Sequence, residues 1–238
     1  MYSWETYFPN AELPIIVGYS NDASASELEI ADKGFRCLIC DLGNIPQGRT
    51  LALYRETIGC AGARRYLGFE TEVRPDFAHL LSCGIPGEIE GERYKRSPEL
   101  VRRYLASQPV FNAPGSSIVF KRWDRLEKQD IPDVLVFFAT PDVLAGLFTL
   151  ASFDEASSQA VISPFGSACS SIVDHPYQEL NSIRPRAVTS MLDISARPCV
   201  PPDVPSFAIP WPKVLRMCSQ MEESFLTTSS WRKVRARI

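Results

Sequence analysis

Apolar residues recur along the chain at two spacings. Short apolar or alternating runs over residues 15–19, 51–56, 117–121, 134–138, 160–163 and 187–192 predict strands. Residues 51–56 alternate, as do residues 207–209 near the end. Val134-Leu135-Val136-Phe137-Phe138 is apolar without a break, so this strand should be central and covered on both faces. Helical spacing is clearest after Ser97-Pro98-Glu99, where a capping hydroxyl, a first-turn proline and a first-turn acid open a helix to about Ser107. Thr140-Pro141-Asp142 repeats the signal, and Val143, Leu144, Leu147 and Leu150 follow on one face. Pro212 opens another helix, with Val214, Leu215, Cys218 and Met221 on one stripe. Strands separated by helices mix with strands separated only by turns. The expected fold is therefore α+β: one domain over residues 1–238, with a mixed sheet and helices packed on it.

Prolines sharpen one region. Of 19, several crowd between Pro198 and Pro212. Each fixes its own φ and pushes its predecessor out of the helical region, so 198–212 should be an extended surface strap leading to the C-terminal helix. Composition changes the picture little: 238 residues, 45% hydrophobic and 22% charged, suffice for one core without covalent staples. The seven cysteines are then expected as thiols in a reducing cytoplasm, since no leader pattern or membrane-length apolar run is present. A net charge of −3 argues against a dedicated nucleic-acid binder. The basic run from Trp231 to Arg237 reads as cations complementing the end of a final helix.

Several segments together carry a resemblance. They are Gly34-Phe35-Arg36-Cys37, then Ile58-Gly59-Cys60-Ala61-Gly62-Ala63-Arg64-Arg65-Tyr66-Leu67-Gly68, then Pro132-Asp133-Val134-Leu135-Val136-Phe137. Pro164-Phe165-Gly166-Ser167-Ala168-Cys169, Ser195-Ala196-Arg197-Pro198 and Phe207-Ala208-Ile209-Pro210 follow in order. From about Pro14 to Phe225 the chain resembles the DUF169 family, prokaryotic proteins of unknown function. The resemblance implies that Cys37, Cys60 and Cys169 fall within family motifs. It brings no activity with it.

Two cysteines stand out on physical grounds. Cys60 and Cys169 each sit where a predicted strand passes into a predicted helix. A thiol in a helix's first turn meets the positive end of the dipole and free N–H groups, which favours thiolate. Against this, cysteine is often a small buried hydrophobe. Cys37 and Cys40 form a C-x-x-C pair, sharing a face in a helix and pointing apart in a strand. Cys37, Cys60 and Cys169, with Cys40 as a fourth, are candidate ligands for zinc or an iron–sulfur cluster. The two histidines make poor partners. His175 lies six residues past Cys169, roughly 9 Å along a helix, and nothing ties His79 to a thiol.

The glycine turn before Cys169 also resembles an anion cradle, with free N–H groups and hydroxyls at Ser167, Ser170 and Ser171. Arg64, Arg65 and Arg197 would add charge if their loops met at one sheet edge. The leading expectation is a protein that binds a small molecule or cofactor through Cys60, Gly62, Arg64, Gly166, Ser167, Cys169 and Arg197. A metal protein is the second. The third is an interaction module or homo-oligomer using the aromatic ends: Tyr2, Trp4, Tyr7 and Phe8, with Trp211, Phe225 and Trp231.

Overall fold

Seven strands form one mixed sheet in the computed structural model, which describes residues 4–21, 36–43 and 45–238. Tyr2 of the aromatic N-terminal end, and Gly34 and Phe35 of the first family-like segment, lie outside these residues. The strands are β1 (Ile15–Ser20), β2 (Leu51–Tyr54), β3 (Ser117–Arg122), β4 (Val134–Phe138), β5 (Val161–Ile162), β6 (Ala187–Ser190) and β7 (Ser206–Pro210). Their order across the sheet is β2-β3-β1-β4-β7-β6-β5. Every pairing is antiparallel except β5 with β6.

The helices are α1 (Trp4–Tyr7), α2 (Leu38–Leu42), α3 (Ala61–Tyr66), α4 (Phe77–Leu80), α5 (Pro98–Ser107), α6 (Pro141–Ala151), α7 (His175–Gln178), α8 (Trp211–Gln220) and α9 (Ser229–Arg235). A π-helical stretch, Ser170–Asp174, runs directly into α7. The start signals act as expected at α5, where the Ser97 hydroxyl accepts from the Leu100 N–H at 3.2 Å.

The period-2 alternation of the central strands divides two cores. Val134, Val136, Ile15, Val17 and Ala208 face one side, packed on α2, α3 and the helical run around Ile172. Leu135, Phe137, Ile16, Phe207 and Ile209 face the other, under α1, α6, α8 and α9. The unbroken apolar run of β4 is thereby buried on both faces. A third, smaller cluster joins Phe77 and Ala78 of α4 to Val101 and Leu105 of α5.

Three expectations are corrected here. The segment 198–212 is not a surface strap throughout. Phe207, Ala208 and Ile209 are fully buried in β7, between β4 and β6. No proline interrupts those three residues, so their N–H groups can serve the ladder, while Pro210 closes the strand where no donation is needed. The aromatic ends do not form an outward surface. Trp4, Phe8 and Trp231 are buried, and Phe8 and Trp231 meet edge to face at 5.3 Å. The Trp231 indole N–H donates to the Tyr7 carbonyl at 3.0 Å, so the two chain ends close over α6. Finally, the cysteines are not all thiols. Cys40 and Cys199 form a disulfide across 159 residues. The chain after Arg197 returns Cys199 to the side of α2, which brings the two Cα atoms to 4.7 Å. No described helix is long and apolar enough to cross a membrane.

Candidate functional site

A cavity of about 590 Å³ lies between the first core and the small α4–α5 cluster. Three loops that start helices build its wall, and each contributes a thiol. Cys37 caps α2, with its carbonyl accepting from the Asp41 N–H at 3.3 Å. Cys60 caps α3, its carbonyl accepting from the Arg64 N–H at 3.0 Å. Cys169 stands at the head of the π-helical stretch. All three line the cavity, as do Gly62, Arg64, Gly166 and Ser167. Cys37 and Cys40 share one helical turn at α2, which settles their geometry in favour of the helix.

The loops do not meet at one sheet edge. Five antiparallel pairings separate β2 from β6, so the strand feeding Cys60 runs opposite to β6 and to its parallel neighbour β5, which feeds Cys169. They converge instead because α3 and the helical run after Cys169 pack side by side on the same face.

The thiolate expected at Cys169 is not favoured. Burial pushes the Cys169 thiol well above its ordinary value, with Cys60, Cys37 and Asp193 nearby adding to the rise. Burial raises Cys37 as well, against the pull of the Ile39 and Cys40 N–H groups. A helix's first turn lowers a thiol's pKa only where the charge stays solvated, and here desolvation wins.

The anion cradle is likewise filled from within. The Asp193 carboxylate accepts from the Ala168 N–H at 2.6 Å, and the Ser167 hydroxyl accepts from the Ser170 N–H at 3.1 Å. The arginines also serve the fold. Arg64 donates to the Ile58 carbonyl at 2.7 Å and pairs with Glu70 at 2.9 Å. Arg65 is buried and donates to the Thr71 carbonyl. Arg197 does not reach the cavity wall; its fork binds the carbonyls of Pro201, Pro202 and Val204 at 2.7–3.0 Å, holding the proline segment. His175 keeps a buried Nε2 without a hydrogen-bond partner, and burial lowers its pKa.

Asp193, Tyr94 and Lys95, also in the wall, lie outside the family-like segments. Asp193 holds its own loop, accepting from the Ser195 hydroxyl at 2.5 Å and from the Ser195 N–H at 3.2 Å. The short Asp193-Ile194-Ser195 spacing, which favours side-chain capping of the following turn, was the available signal. Tyr94 also contacts this loop, its oxygen accepting from the Ser195 N–H at 3.0 Å. Lys95 lies 3.9 Å above the Phe165 ring and 4.7 Å above Tyr104. Only the tertiary fold brings these rings together, so no sequence spacing reveals the platform.

Among the described residues, the sulfurs close enough together to share one ion form a trio that keeps Cys37 but not Cys60 or Cys169. They are Cys37, Cys40 and Cys199, all within 4.8 Å of one another. Cys199, just beyond the Ser195–Pro198 segment, joins this trio through the fold alone. A family model matches residues 12–220: DUF169, described as "Uncharacterised ArCR". No curated protein and no solved structure matches the chain.

Proposed function

We propose, for a chain that belongs to the DUF169 family and takes no activity from it, that this is a small-molecule or cofactor-binding protein whose ligand occupies the thiol-lined cavity. The observation that carries the reading is the convergence of three helix-starting loops on one space of about 590 Å³, a size suited to a small organic molecule. Its walls combine apolar surface from Phe77, Leu80 and Leu81 with polar groups at Tyr94, Tyr104 and Lys95. Arg64 and Arg74 are engaged by Glu70 and Asp76, whereas Lys95 has no carboxylate partner among the described residues. An acidic group on the ligand would meet that ammonium.

Gly62 offers the test. A Cβ placed there lies 3.7 Å from the Cys60 sulfur and 3.9 Å from the Phe77 ring, with no backbone clash. Gly62→Leu should therefore fill the cavity and leave the fold intact. We expect native mass spectrometry and thermal-shift screening to find a small molecule that binds the parent and not the Gly62→Leu protein. A ligand that binds both equally would overturn the reading.

A second reading, a metal protein, is favoured by the close approach of the Cys37, Cys40 and Cys199 sulfurs. Zinc or iron in protein purified anaerobically with reductant would support it, and metal-free protein would count against it.

A further inference from the structure

We propose that Cys37, Cys40 and Cys199 form a redox-gated site for a single thiophilic divalent cation of the zinc class, open to the ion only when the Cys40–Cys199 disulfide is reduced. This rests on the metal reading above and deepens it, naming a ligand set and a condition.

Geometry selects the trio. A zinc–thiolate bond of about 2.3 Å places tetrahedral sulfurs roughly 3.8 Å apart. The three sulfurs already lie within 4.8 Å, so small rotations bring them to coordinating distance. An iron–sulfur cluster instead needs thiolates spread around a multi-atom core. The ligands are also rigidly held. Cys37 and Cys40 belong to one turn of α2, and Cys199 sits in a short 3-10 turn held by the Arg197 fork. Three protein ligands leave a fourth position, as in zinc sites that bind water or substrate. Cys37, which also lines the cavity, links that position to the ligand space.

Oxidation state decides occupancy, because the same sulfurs serve both forms. In the oxidised form two are spent in the S–S bond and one thiol remains, too few to hold the ion. Two equivalents of a small thiol reduce the bond by exchange: the Cys40–Cys199 disulfide becomes two thiols, and the reductant becomes its own disulfide. The cation then binds as the three thiols release three protons, so binding is coupled to proton release.

The test uses the full chain with Zn²⁺ and Co²⁺ as probes. Reduced, metal-free protein should bind one Co²⁺ with the intense near-ultraviolet absorption of cobalt–thiolate bonds. Zn²⁺ should displace it, and oxidised protein should bind neither. Cys37→Ser, Cys40→Ser and Cys199→Ser should each weaken binding by at least the roughly 10- to 100-fold that losing even an outer-shell partner costs. Cys60→Ser should bind like the parent. Alkylation mapped by mass spectrometry on the unmutated chain guards against variants that fail to fold. Zn²⁺ should protect Cys37, Cys40 and Cys199, while Cys60 and the exposed Cys83 still react. No binding by the reduced protein would overturn both the metal reading and the trio. Binding lost in Cys60→Ser but kept in Cys40→Ser and Cys199→Ser would overturn the trio and leave the metal reading standing. Equal binding by oxidised protein would overturn the gate.

Discussion

At the scale of single residues, burial sets the charge states. Asp174 shows this most directly. Its side chain is 2% exposed, and burial lifts its carboxyl from 3.8 to about 6, against the pull of the Gln178 amide at 3.3 Å and of Arg65. The folded protein therefore holds the proton more tightly than the unfolded chain does. Protonated Asp174 favours the fold fully below about pH 4, and that advantage is lost as the pH rises through about 6. Asp174→Asn keeps a hydrogen-bonding side chain and removes the charge. At about 1.4 kcal/mol per pKa unit it should stabilise the protein by about 1–3 kcal/mol at pH 8 and change little at pH 4. Urea unfolding at the two pH values checks this, and a gain of the same size at both would refute the burial argument. The same physics corrects the sequence reading of the thiols. The start of a helix is legible in sequence, but the burial that outweighs its dipole at Cys169 is not.

At the scale of elements, local signals are legible and partner choice is not. Ser97-Pro98 and Thr140-Pro141 mark α5 and α6 because caps and first-turn prolines act through neighbouring backbone, and the apolar run of β4 marks a doubly covered strand. The burial of β7 was hidden by flanking prolines that look like a strap, and the convergence of Cys37, Cys60 and Cys169 depends on helices far apart in sequence packing on one face. Lys213 is a similar case. It reads as a surface residue of α8, yet its side chain is 1% exposed and lies 3.5 Å from Glu155, just after α6, whose side chain is 6% exposed. Arg216 reaches the same carboxylate at 3.3 Å. Burial lowers the Lys213 pKa, and Glu155 pulls it back up. Removing one partner of a buried pair strands the other, so Glu155→Gln should cost about 3–5 kcal/mol. That cost should shrink as the pH rises towards 10 and Lys213 can shed its proton. Replacing the cation itself, as Lys213→Met, should be near neutral or stabilising. Chemical denaturation of the two variants separates the cases, and equal losses in both would mean that the pair contributes as an ion pair rather than as a mutual compensation.

At the scale of the whole molecule, the Cys40–Cys199 link joins the start of the first core to the segment that feeds β7, spanning 159 residues. A cross-link closing so long a loop acts mainly on the unfolded chain, and the entropic limit for this separation is about 5 kcal/mol. Reducing the metal-free protein should therefore lower its unfolding free energy by about 2–5 kcal/mol. The Cys40→Ser/Cys199→Ser double variant should start at the lowered value and ignore reductant. Reductant-independent stability in the parent would mean that the link constrains nothing the fold does not already hold. If the sulfurs instead take an ion when reduced, one tether replaces another. A ligand at about 1,000 times its Kd contributes about 4 kcal/mol to the folded state. Zinc added to the reduced parent should then recover much of what reduction removed, and should do nothing for the double variant. Stability that falls on reduction and returns on metal addition in the parent, with neither change in the double variant, is the pattern expected if the ion takes the two sulfurs that the disulfide releases, with Cys37 as the third.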